Sequence, residues 1–192
     1  MHSLYPVNIH AHSESRGARE AVAAIQAGRL RAIDYVATLL ARAAALSSLN
    51  ALVALDMEGA LAHAQRIDAL TPAERAALPL AGLPVVVKDN INTIGLSTSG
   101  GTPALANFTP KRNARSVQRL LDAGAIVLGK ANMHELACGI TSTNLAAHCG
   151  PVRNPYDPGL IPGGSSGGSA VAVAARIAPA ALGTDTSGSN RI

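Results

Sequence analysis

Residues Gly159–Ile192 read GLIPGGSSGGSAVAVAARIAPAALGTDTSGSNRI. The stretch holds five serines, each beside a glycine, so it could be a flexible tether, a phosphate-binding loop, or a place where a hydroxyl does chemistry. A Gly/Ser tether stays polar on both sides. Here Gly163–Ser169 leads instead into Ala170–Ala181, which is almost wholly Ala, Val and Ile. That predicts a small-residue helix entered from a glycine turn, with close backbone packing and free N–H groups at its N-terminus. Gly183–Ser189 is a second glycine-rich turn ahead of a serine. Such a turn can aim consecutive N–H groups at one point, as an oxyanion hole requires.

Upstream, Pro84–Val87 is a short β-branched run that ends in Lys88 and predicts a buried strand. Ser116–Ala123 predicts a helix closed by Gly124, and Ala125–Leu128 another buried strand. Helix followed by apolar strand is the rhythm of an α/β layered fold. The first half is mostly helical in pattern: Glu20–Ala27, ended by Gly28, then Asp34–Leu46 with Val36, Leu39, Leu40 and Ala43 at helical spacing. Asn50–Leu55 predicts a strand and Gly59–Leu70 a helix. Thr71-Pro72-Ala73-Glu74 has capping-box spacing with Pro at the first helical position.

Composition narrows the function classes. Aromatic residues make up 2% of the 192 residues, as Tyr5, Tyr35, Phe108 and Tyr156, so the core is built from aliphatic side chains and base-stacking platforms are not expected. The net charge is +4 with no Lys/Arg block, which argues against nucleic-acid binding. Two cysteines, Cys138 and Cys149, are too few for a secreted disulfide framework. With His134 and His148 they match no zinc spacing. The first twenty residues hold no apolar signal region, and no apolar run reaches membrane-span length, so a cytoplasmic protein is expected.

Two motif matches fail on context. Gly124–Ala131 resembles a phosphate loop, but Ala131 stands where a magnesium-binding hydroxyl is needed, and the residues between the glycines form an apolar strand. Gly163–Gly167 fits the spacing of a hydrolase nucleophile elbow, but Ile161-Pro162 precedes it instead of a central strand. Lys88 remains open: a strand-end lysine is usually a solvated charge, whereas a buried one loses its proton easily and becomes a usable base.

Taken together, the blocks resemble the amidase signature family. The resemblance rests on Gly82–Asn90, Gly124–Lys130, Asn132–Leu136, Gly150–Pro155, Gly163–Ser169, Gly183–Thr186 and Gly188-Ser189, in that order. It implies an α/β fold, a mixed β-sheet core flanked by helices. The family's proteins are more than twice as long, so only the N-terminal part of one such domain is expected: a helical lead-in over about 1–80 and a signature core over about 81–192. It also implies a triad in which Lys88 is the base, Ser165, following a cis peptide bond from Gly164, is the bridge, and Ser189 is the nucleophile. The backbone N–H groups of Thr186, Ser187, Gly188 and Ser189 would hold the oxyanion, and Ala137, Cys138 and Gly139 would contact the acyl group. No metal or cofactor is implied.

The implied reaction is hydrolysis of a small, aryl-type carboxamide to acid and ammonia through a serine acyl-enzyme. The Asn132–Ser142 block looks most like the indoleacetamide and mandelamide type. Two alternatives stand beside it: the amidase subunit of a glutamyl-tRNA amidotransferase, and a catalytically dead fragment. The partner implied is a small-molecule amide, with no nucleic acid and no membrane, and a homodimer is allowed. Ser187 departs from the glycine usual before the Gly-Ser step, and Asn190 from the usual apolar residue after the nucleophile.

Overall fold

A computed structural model describes residues 16–145 and 148–192. Helices α1 (Ala18–Gln26) and α2 (Ala32–Ala45) lead into strand β1 (Leu52–Leu55), then α3 (Met57–Asp68) and the short α4 (Pro72–Ala77). Strand β2 (Pro84–Lys88), helix α5 (Arg115–Asp122), strand β3 (Ile126–Ala131), helix α6 (Gly167–Ala174) and strand β4 (Ala180–Leu182) follow. The four strands form one sheet in the order β1-β3-β2-β4. β1 runs antiparallel to β3, while β2 is parallel to both β3 and β4.

The sheet separates two apolar layers by simple alternation. Val86, Ile126 and Leu128 face a large cluster built with α1, α2, α3 and α6. Val85, Val87 and Val127 face a smaller cluster with Ile91 and Val117. Successive side chains of a strand point to opposite faces, so a strand covered on both sides is mostly apolar, as β2 and β3 are apart from Lys88 and Lys130. All five residues of β2 and all six of β3 are buried accordingly.

Helix ends follow local chemistry. Thr71 accepts from the Glu74 N–H, and Glu74 reaches back to the Thr71 N–H at 2.9 Å, the reciprocal cap expected of that spacing. Asp56 caps α3 by accepting from the Gly59 N–H. At the start of α6, a Cβ on Gly168 would overlap the carbonyl oxygens of Asn132 and Ala51, so only glycine lets this turn close onto the end of β3.

Three sequence expectations shift. The helix expected over Ala170–Ala181 is instead α6, which begins at Gly167 and stops at Ala174, followed by β4. Arg176 adopts a left-handed conformation (φ 58°), and Pro179 disfavours helix at the residue before it. The strand expected over Ala125–Leu128 continues to Ala131, because Gly129, Lys130 and Ala131 pair with both β1 and β2. The strand expected over Asn50–Leu55 starts at Leu52, because Asn50 is left-handed.

Candidate active site

β2 carries Lys88 to the end of the sheet, where its side chain is wholly buried. Its Nζ lies 2.7 Å from Ser165 Oγ, 2.8 Å from Ser166 Oγ and 2.8 Å from Thr184 Oγ1. The Thr184 carbonyl is 3.4 Å away. Ser165 and Ser166 stand in the turn that opens α6, and Thr184 follows β4, so three elements converge on one amine. The peptide bond between Gly164 and Ser165 is cis. Ser165 is fully buried, and its carbonyl accepts from the His134 N–H at 3.1 Å.

The hydrogen bonds assign roles to the hydroxyls. Ser166 Oγ donates to the Thr184 carbonyl at 3.0 Å, so toward Lys88 it can only accept. Thr184 Oγ1 accepts a second bond, from Asn90 Nδ2 at 3.1 Å. A neutral Lys88 has two N–H donors and one lone pair. Since Ser166 can only accept, a neutral Lys88 has the hydroxyls of Ser165 and Thr184 as the two neighbours able to donate to its lone pair. Burial pushes the Lys88 amine down to about 8, with the Asp185 carboxylate pulling the other way. The ammonium still predominates at pH 7, and the neutral amine becomes the major form above about pH 8.

Ser189 lies half-buried in the turn after Asp185, lining a cavity of about 230 Å³ with Ser166, Ser169, Gly183 and Asn190. Its carbonyl accepts from the Ser166 N–H at 3.1 Å, which ties the turn to the Lys88 cluster. Among the described residues no hydrogen bond joins the Ser189 hydroxyl to Ser165 or Lys88.

The turn itself is organised by Asp185. Its carboxylate accepts from the Gly188 N–H at 2.7 Å and the Asn190 N–H at 3.2 Å, and Arg191 grips it through Nε at 2.8 Å and Nη2 at 3.0 Å. These bonds, Arg191's first, hold the Asp185 carboxyl well below the usual carboxylate range. Gly188 sits at φ 124°, a conformation that suits glycine. Of the four N–H groups expected to hold an oxyanion, that of Gly188 is thus committed to Asp185. Among the described residues, those of Thr186, Ser187 and Ser189 donate to no protein acceptor.

Ala137 and Gly139 are half-buried and Cys138 is exposed, in a segment that begins with a tight turn at Glu135. The neighbouring Leu136, which sequence reasoning passed over, lines a groove of about 390 Å³ with Asn90, Thr98, Gly100, Leu105 and Phe108. Ser166, Thr184 and Asn90 were also missed as site residues. Each had a signal: a second serine beside the first, the hydroxyl in Gly183-Thr184, and the amide two places after Lys88. Among the described residues no group of three or more His, Cys, Asp or Glu is placed to hold a metal ion, and no helix is long and apolar enough to cross a membrane.

A buried lysine at the end of a mixed sheet thus touches two serines of a glycine-rich turn. Comparison with known proteins gives the family: the Amidase family model matches residues 34–192, and the chain belongs to that family. It is 47% identical over 175 residues to mandelamide hydrolase from Pseudomonas putida, covering 90% of this chain and 34% of that one. It is 48% identical over 168 residues to one of the subunits of glutamyl-tRNA(Gln) amidotransferase from Deinococcus deserti, covering 88% and 34%. The crystal structure of native peptide amidase from Stenotrophomonas maltophilia superposes with a TM-score of 0.84 at 40% identity, over 93% of this chain and 38% of that one. The chain spans about a third of the length of the curated relatives it matches.

Proposed function

We propose that this chain carries the reacting residues of an amidase that hydrolyses the carboxamide bond of a small, aryl-type amide. The observation that carries the reading is the buried contact of 2.7 Å between Lys88 Nζ and Ser165 Oγ. In this reading Ser189 is the nucleophile, Ser165 the bridge and Lys88 the base. The Ser189 hydroxyl gives its proton to Ser165 as its oxygen attacks the amide carbon, and Ser165 gives its own to neutral Lys88. The N–H groups of Thr186, Ser187 and Ser189 supply the oxyanion donors. The proton returns through Ser165 to the leaving nitrogen, the C–N bond breaks, and ammonia departs. Water then attacks the acyl-serine through the same relay, releasing the acid and restoring Ser189.

The test is ammonia release from mandelamide and indoleacetamide by the purified chain. Release lost in Ser189→Ala and Lys88→Met supports the reading; release that survives both substitutions overturns it. A second reading has comparable support from identity: the similarity to the amidotransferase protein suggests a chain that frees ammonia from glutamine for a partner subunit. Glutamine hydrolysis with no turnover of aryl amides would favour it.

A further inference from the structure

The sheet holds two buried lysines, and they emerge on opposite faces. In the β2–β3 ladder Lys130 pairs with Val87, one step before Lys88. Lys130 therefore shares the face of Val87, while Lys88 points to the α6 side, where Ser165 and Ser166 stand. Asp89, the next residue after Lys88, falls on the Lys130 face. Lys130 Nζ lies 3.6 Å from Asp89 Oδ1, with the two side chains 0% and 1% exposed. The same Nζ donates to the Ile91 carbonyl and to Thr98 Oγ1, both at 2.8 Å. The Asp89 carboxylate accepts from the Ser99 N–H at 3.1 Å, from the Ser99 hydroxyl, and from the Gly101 N–H at 3.3 Å. Both ends of the 89–101 segment are thus wrapped around one ion pair.

Two arms run from this pair to the Lys88 cluster. The Gly100 carbonyl accepts from the Leu136 N–H at 2.8 Å, and the same segment's His134 N–H holds the Ser165 carbonyl. In the other arm, Asn90 beside the pair donates to Thr184 Oγ1, which Lys88 also touches. Asn90, Gly100 and Leu136 of these arms also line the groove with Thr98, Leu105 and Phe108.

We propose that Asp89 and Lys130 are positioning residues for the acyl group: their buried pair pins the 98–101 turn, and so fixes the groove walled by Leu105, Phe108 and Leu136 in which the aryl or alkyl part of the amide lies. This rests on reading Lys88, Ser165 and Ser189 as the reacting residues. Neither Asp89 nor Lys130 touches the reacting atoms.

The test compares the chain with the Asp89→Asn/Lys130→Met double variant and with Ser99→Ala. The double variant removes both charges together, so none is left buried without its partner; Ser99→Ala keeps the ion pair and cuts one contact to the turn. KM and kcat are measured for phenylacetamide and acetamide, with amide hydrogen exchange at Gly100 and Leu136 and urea midpoints alongside. We expect KM for phenylacetamide to rise about tenfold in the double variant and about threefold in Ser99→Ala, while kcat on acetamide moves less than about threefold. Exchange at Leu136 should quicken about tenfold. Equal falls in kcat on both amides that track the urea midpoint would overturn the proposal, as would Leu136 exchange left at its wild-type rate in a folded double variant. If the unaltered chain turns over neither amide, the reading of the reacting residues falls, and the exchange measurement alone decides whether the pair pins the turn.

Discussion

In the proposed relay Lys88 is the base, and its burial suits that role. Desolvation disfavours the ammonium, and the hydroxyls of Ser165, Ser166 and Thr184 all lie within hydrogen-bond reach of the amine. Neutral amine is the deprotonated form, so reactivity at Ser189 should climb as pH rises through about 8 and level off above it. The Asp185 carboxylate favours the charged form, so Asp185→Asn should move that midpoint to lower pH; a rate–pH profile of both proteins checks the direction. Replacing the base outright, as in Lys88→Met, should slow acylation by about 10²- to 10⁴-fold. Thr184→Val should also lower the midpoint, since it removes an acceptor that the ammonium uses.

At the scale of elements, the site depends on how closely the α6 turn and the ends of β2 and β3 approach one another. Gly168→Ala would drive a methyl group into the backbone of Asn132 and Ala51, which cannot swing away as a side chain can. A loss of about 1–3 kcal/mol is expected from urea unfolding, with reactivity at Ser189 falling alongside because Ser165 sits in the same turn. Lys130→Met alone would strand the Asp89 carboxylate in the interior and should cost about 3–5 kcal/mol, most of it recovered when Asp89→Asn is added. Thr71→Ala offers the contrast. It removes the cap of the peripheral α4 and should cost about 1 kcal/mol of stability with no change at the site.

Over the whole molecule, what could be read from the sequence is what obeys short-range rules. β2 was visible because a β-branched run bounded by proline and a charge has few other homes. The Thr71 cap was visible because its spacing is its mechanism. The limit of α6 was not: Ala, Val and Ile serve a small-residue helix and a buried strand alike, and the break at Arg176 depends on a left-handed conformation that few sequence patterns announce. The site divides the same way. Lys88 and Ser165 were named from motif blocks, and the structure brings them together. The commitment of the Gly188 N–H to Asp185 depends on Arg191 and Asn190 closing the turn, a tertiary arrangement with no period or spacing of its own. The wrapping of residues 89–101 around Lys130 was hidden for a related reason. Lys130 lies in a failed phosphate-loop match, and only the strand ladder shows which face it shares with Asp89.

In the proposed relay Lys88 acts through Ser165 on Ser189. The most direct test is labelling of the purified chain by a fluorophosphonate across pH 6 to 10, with Ser189→Ala, Ser165→Ala and Lys88→Met in parallel. Labelling is expected to be confined to Ser189, to rise through about pH 8, to be absent in Ser189→Ala and to be slowed by about 10²-fold or more in the other two. Labelling at another residue, or labelling of Ser189 that is indifferent to Lys88, would contradict it.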